Sequence, residues 1–211
     1  MFFGHFIAIG AIVRRFPVAR AALCSLVLFA FTNTGIAAEP GVTPRLHVAV
    51  YDVEPYGGRD RDGLFNGASV DLWRRVAEEQ HWQYELTLVS RMDDVLAGVE
   101  RHAYDLGIGA ITITPDRLGR VDFSYPTHRS GVAAVFATRT DAVVNSIGAL
   151  QYLVRARFAD RLAPPRGVLA PAYMAFALPM NSALKRPLDR TLTIVSASPE
   201  WRSVEDTYFG P

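Results

Sequence analysis

The chain has 211 residues, 50% of them hydrophobic and 20% charged, with 22 Lys and Arg against 21 Asp and Glu and one Cys. That length builds one or two ordinary domains, and high apolar content with a net charge near zero excludes a disordered chain. A lone Cys24 excludes an intramolecular disulfide, and the absence of any long run of like charges leaves no nucleic-acid footprint.

Residues 1–38 carry Arg14, Arg15 and Arg20 and no acid, then the apolar run Ala21 to Phe31, then small residues ending in Ala37-Ala38. A charged start, a short apolar stretch and a small-residue site read as a signal peptide cleaved after Ala37 or Ala38. A retained membrane anchor is the rival reading, but Arg14 and Arg15 interrupt the apolar residues and neither run reaches the roughly 20 a span needs. The expectation is an exported, periplasmic chain that has lost its Cys and becomes slightly acidic.

Leu46 to Val50 reads as a strand, followed by a turn-rich loop from Asp52 to Asn66. Val70, Leu72, Trp73, Val76 and Ala77 then recur at helical spacing, with Ser69 the expected N-cap. Tyr84 to Val89 is a second strand. Ser90-Arg91-Met92-Asp93 resembles a capping box before the helical stripe Met92, Val95, Leu96 and Val99, and Asp105 to Ala110 is a third strand. Alternating strands and helices predict a parallel α/β sheet covered by helices. Val121 to Ser124, Gly131 to Thr138 and Tyr173 to Leu178 read as further strands, and helices are expected around Pro187 to Val195 and from Ser198-Pro199 to about Asp206. Residues 139–171 differ in kind. Asp141 to Val144 reads as a strand and Ala149 to Phe158 as a helix, but about 33 residues are too few to bury a core of their own.

The stretch that carries chemistry is Ala110-Ile111-Thr112-Ile113-Thr114-Pro115-Asp116-Arg117. Thr114-Pro115 is an N-cap followed by Pro at the first helical position, so Arg117 leaves the first turn of a short helix. A carboxylate could be held there by the guanidinium, the Thr112 hydroxyl and backbone N–H groups. It would lie outside the carboxyl end of a strand, where open α/β sheets place ligands. From spacing alone the default is a surface ion pair of Arg117 with Asp116 or Asp122.

Leu46-His47-Val48-Ala49-Val50 with Pro55-Tyr56, Gly67 to Trp73 (GASVDLW), Asp105 to Arg117 (DLGIGAITITPDR), Val121 to Pro126 with Ser130-Gly131, and the ending Phe176 to Pro179, Trp201 and Tyr208 to Gly210 resemble, in order, the family 3 extracellular solute-binding proteins, amino-acid receptors of bacterial ABC importers. The resemblance implies the type II periplasmic-binding-protein-like fold, shared with the ionotropic glutamate receptor ligand-binding core. It implies one near-complete lobe from residues 39–138 and 172–211, and a truncated second lobe at 139–171. It implies a small-molecule ligand, an ABC permease as partner, and neither cofactor nor metal. It also implies that Arg117 takes a ligand α-carboxylate, aided by Thr112, with the Ala110 carbonyl facing the ligand's amino group. Tyr56 and Phe65 fall where aromatic side chains line the pocket, and each is equally readable as a core or loop-packing residue. Asp71 reads as favourable charge at a helix N-terminus.

The sequence departs from the family where Thr138-Arg139-Thr140 runs almost directly into Asp141-Ala142-Val143-Val144. The omitted part includes the Gly-Ser-Thr-type loop that supplies donors to the carboxylate's other side. Where the family places an acid for the ligand ammonium, this chain has Ser146. The expectations are weakened or lost binding and a helix, with Ile147, Leu150, Leu153, Val154 and Phe158, deprived of its partner sheet. A glutamate-receptor-like channel or sensor remnant is the alternative function. A dehydratase using His128 or Glu54 is a third, although neither sits in a recognisable catalytic constellation.

Overall fold

The computed structural model describes residues 45–136, 142–163, 165 and 167–210. The signal peptide expected at 1–38 and the junction at 137–141 lie outside the described residues.

In chain order the elements are β1 (Leu46–Tyr51), β2 (Gly58–Arg59), β3 (Phe65–Asn66), α1 (Ala68–Glu79), β4 (Tyr84–Val89), α2 (Met92–Glu100), β5 (Leu106–Ile108), α3 (Pro115–Leu118) and β6 (Asp122–Phe123). They continue with β7 (His128–Phe136), β8 (Ala142–Ser146), α4 (Ile147–Arg157), β9 (Ala170–Met174), β10 (Ala177–Leu178), α5 (Lys185–Ser196) and α6 (Pro199–Phe209). The main sheet runs β4-β1-β5-β10-β6. β1 is parallel to both β4 and β5, while β10 is antiparallel to β5 and β6. A second sheet, β8-β7-β9, is antiparallel throughout.

Period-two alternation decides which side of β1 meets which helices. Val48 and Val50 join Trp73, Phe176, Leu188 and Trp201 in one core, under α1, α5 and α6. Ala49, between them, faces Val95, Leu96, Val99 and Phe123 in a second core under α2. Both faces are covered, so the strand reads as nearly continuous apolar sequence.

Two helix starts differ from the sequence expectation. Gly67, not Ser69, is the N-cap of α1. Ser69 is fully buried, its hydroxyl donating to the Gly109 carbonyl at 3.3 Å, because Pro55 O and Tyr56 O already accept from Ala68 N and Ser69 N. α2 starts after Arg91 without a side-chain cap, and Asp93 and Asp94 in its first turn supply the favourable charge instead. Asp71 sits in the first turn of α1 as expected, pairs with Arg74 at 2.9 Å and accepts the Tyr208 hydroxyl at 2.6 Å. Burial, followed by that acid, raises the Tyr208 pKa. Tyr208→Phe should therefore lower stability by about 1–2 kcal/mol, the lower range for a hydrogen bond to a charged group at a half-buried site. Urea denaturation reads this directly, and an unchanged midpoint would show that α6 is held by apolar packing alone.

The expected strand Tyr173 to Leu178 is two strands. The chain leaves the small sheet at Met174 and enters the main sheet at Ala177. Between them, Ala175 N donates to Ile111 O at 3.0 Å and Phe176 N to the Ser124 hydroxyl at 3.0 Å. The helix at 147–157 also has a partner sheet, contrary to expectation. Leu150 and Val154, each 2% exposed, pack on Ala133 and Val135 of β7. Around the small sheet the exposed apolar side chains lie on its strands and on the loop before β9 instead, with Leu169, Phe136 and Val144 the most open there.

Candidate functional site

A cleft of about 550 Å³ opens where β1 and β5 end at their carboxyl edges. Its floor comes from the segment after β5. Gly109 adopts φ +127°, and a Cβ there would lie 2.9 Å from the Tyr51 Cβ, so only glycine lets the two strand ends approach. The chain then delivers Ala110 and Thr112 to the cleft.

The Thr114 hydroxyl caps α3, accepting from Arg117 N at 3.4 Å, as expected of Thr-Pro. The helix has four residues; Pro115 carries no N–H, and Arg117 N and Leu118 N are taken by the Thr114 hydroxyl and carbonyl, so the free backbone donors expected there are largely spent and the charge for an anion comes from the Arg117 guanidinium. Arg117 folds back so that Nη1 donates to the Thr112 carbonyl at 2.8 Å. The Thr112 carbonyl thus orients the guanidinium, a contact distinct from the one expected of its hydroxyl. One of five N–H donors is used in that bond. Among the described residues no carboxylate pairs with Arg117, and Asp122 instead accepts from Asn181 N at 2.7 Å.

Tyr56 serves as both core and cleft wall. It is 2% exposed, lines the cleft, and packs edge-on against His128 and tilted against Phe209, with centroids 5.5 and 5.3 Å away. Burial raises its pKa. Phe65 is placed elsewhere: its ring lies under the Arg59 guanidinium at 4.1 Å and against the first core, outside the cleft lining. Residues 110, 112, 117 and 56 thus converge and residue 65 does not.

The opposite wall comes from Ser130 and Val132 of β7, Asn145 and Ser146 at the end of β8, and Tyr152 and Arg157 of α4. Ser146 is occupied as a cap, its hydroxyl accepting from Ala149 N at 3.3 Å. Sequence reasoning missed Tyr152 and Arg157. The signal was available as the stripe Ala149, Tyr152, Leu153 and Arg157, one position round the helix from the buried Leu150 and Val154. Glu54 also lines the cleft, with Arg157 Nη2 3.6 Å from its carboxylate. His128 is not among the lining residues. It is 7% exposed behind Tyr56, with Nδ1 3.1 Å from the Thr127 hydroxyl, and burial lowers its pKa to about 4. It is therefore neutral near pH 7 and has no access to a reacting group in the cleft.

The model of bacterial extracellular solute-binding proteins, family 3, matches residues 46–211. A GluR0 ligand-binding core in complex with L-glutamate superposes with a TM-score of 0.72 at 20% identity, covering 81% of this chain and 100% of that one. The arginine-, lysine-, histidine-binding protein ArtJ from Geobacillus stearothermophilus gives 0.69 at 19% identity, covering 80% and 96%. The amino-acid-binding protein AabA of Dichelobacter nodosus is 28% identical over 92 residues, which is 44% of this chain and 36% of that protein. The fold is the type II periplasmic-binding-protein-like α/β architecture, and the match over residues 46–211 makes this chain a member of the family 3 bacterial extracellular solute-binding proteins.

Proposed function

We propose that this chain is an exported, periplasmic receptor that recognises the α-carboxylate of an amino acid or a similar small carboxylate for ABC-type uptake, as a binding module and not an enzyme. The observation that carries the reading is Arg117, oriented by the Thr112 carbonyl, lining a cleft at the sheet's carboxyl edge and paired with no described carboxylate. The expected signal peptide, the family's extracellular character and an ABC permease as partner belong to the same reading.

Affinity in this reading is weak, because the resemblance implies that the loop gripping the carboxylate from its other side is missing. Charge-assisted hydrogen bonds contribute about 1.5–3 kcal/mol each, while association costs about 4–15 kcal/mol. Micromolar binding needs about −8 kcal/mol net. Millimolar dissociation constants follow.

The test is an NMR titration of the purified chain with L-alanine and with ethylamine, its carboxyl-free counterpart. L-Alanine should shift the Ala110 and Thr112 amides and ethylamine should not. Arg117→Gln should weaken binding at least about tenfold, and Arg117→Lys should not restore it, since a point charge lacks the bidentate fork. Equal binding of alanine by the Gln variant would overturn the carboxylate reading, and a micromolar constant would overturn the weak-binding part.

A further inference from the structure

We propose that the cleft prefers an amino acid carrying a second carboxylate. In this arrangement Arg117 takes the α-carboxylate, Glu54 the ammonium and Arg157 the side-chain carboxylate. The inference rests on the carboxylate reading of Arg117 and extends it to the class of ligand.

Among the described residues three charged side chains line the cleft: Arg117, Arg157 and Glu54. Two cations and one anion complement a ligand with two carboxylates and one ammonium. The arrangement of the second pair points the same way. Arg157 Nη2 and Glu54 Oε2 are 3.6 Å apart, too far for a good charge-assisted hydrogen bond, with side chains 64% and 61% exposed. So loose a contact holds neither group strongly.

An acidic amino acid can replace both halves of that contact at once. Its ammonium takes the place of Arg157 beside Glu54, and its distal carboxylate takes the place of Glu54 beside Arg157. A neutral amino acid that engages Glu54 leaves Arg157 without a counter-charge, and a basic one sets its own side-chain cation against Arg157. Glu54 thereby supplies the anion that Ser146 cannot, since Ser146 caps α4 and carries no charge. Packing positions the helix that carries Arg157: Leu150 and Val154 pin α4 to β7, which leaves Arg157 on the cleft side of its last turn.

The experiment is an NMR titration of the full chain and of Arg157→Gln, Glu54→Gln and Arg117→Gln with L-glutamate, L-glutamine, glutarate and L-arginine. All three side chains are partly or largely exposed, and far-UV circular dichroism checks that each variant is folded. The parent should bind glutamate about tenfold more tightly than glutamine and arginine more weakly than either. Arg157→Gln should bring the glutamate-to-glutamine ratio to about one. Glu54→Gln should weaken glutamate more than glutarate. A parent that binds glutamine as tightly as glutamate, or a ratio unmoved by Arg157→Gln while Arg117→Gln still abolishes binding, overturns this proposal alone. Binding of no ligand, or binding indifferent to Arg117→Gln, overturns the carboxylate reading and this proposal with it.

Discussion

Gly67→Ala is expected to destabilise the protein by about 3 kcal/mol or more. Gly67 adopts φ +120° and ψ 156°, a region essentially reserved for glycine, where another residue is strained by about 1–3 kcal/mol. Space is lacking as well. A Cβ would meet the backbone carbon and oxygen of Tyr56 at 2.5 Å and Gly57 N at 2.7 Å. Those atoms cannot retreat cheaply, because Pro55 O and Tyr56 O accept from the first N–H groups of α1, and Tyr56 N is bonded to Val53 O. Relief of the clash must therefore move the loop that carries Tyr56 into the cleft, and stability and binding should fall together. Equilibrium denaturation of the variant measures the loss. A change below about 0.5 kcal/mol, the range of ordinary surface substitutions, would mean that the loop is far more compliant than its hydrogen bonds suggest.

Trp73→Ala should lower stability by about 3–5 kcal/mol. Trp73 is 0% exposed on α1 and touches three other aromatic rings: Trp82 stacked at 5.9 Å, Tyr84 edge-on at 5.5 Å and Phe176 at 6.4 Å. Its indole N–H has no hydrogen-bond partner among the described residues, so truncation removes packing and leaves a cavity without breaking a polar contact. Trp73→Phe should accordingly retain much of the stability. If alanine and phenylalanine lost equal amounts in thermal unfolding, the deficit would have to come from something other than filled volume.

The parts of the fold legible in the sequence are those where one local pattern meets no competitor. Tyr84 to Val89 is a strand by its alternation and in the fold, and Thr114-Pro115 starts its helix as the two residue types dictate. Ser69 resembles an N-cap because a serine in the first turn of a glycine-initiated helix is indistinguishable from a real cap until the Tyr56 and Pro55 carbonyls are seen to hold the first N–H groups. The break at Ala175-Phe176 was illegible for a similar reason. Both residues suit a strand, and the switch between sheets is imposed by Ile111 O and the Ser124 hydroxyl, far away in sequence. At the site, Arg117 and Thr112 were legible from a contiguous motif. Arg157 was not, since its meaning depends on which side of α4 meets the cleft, and that is set by Ala133 and Val135.

The two segments that link the main sheet to the small one, β7 and β9, are hydrogen-bonded neighbours from His128 opposite Met174 to Val132 opposite Ala170. A paired ribbon of this kind flexes across its flat side but resists slippage of one strand along the other, because slippage would break the ladder. Adjustment of the far wall to an occupant should therefore favour a swing about this ribbon over sliding along it, and the separation of Arg117 from Arg157 should change mainly through an angle.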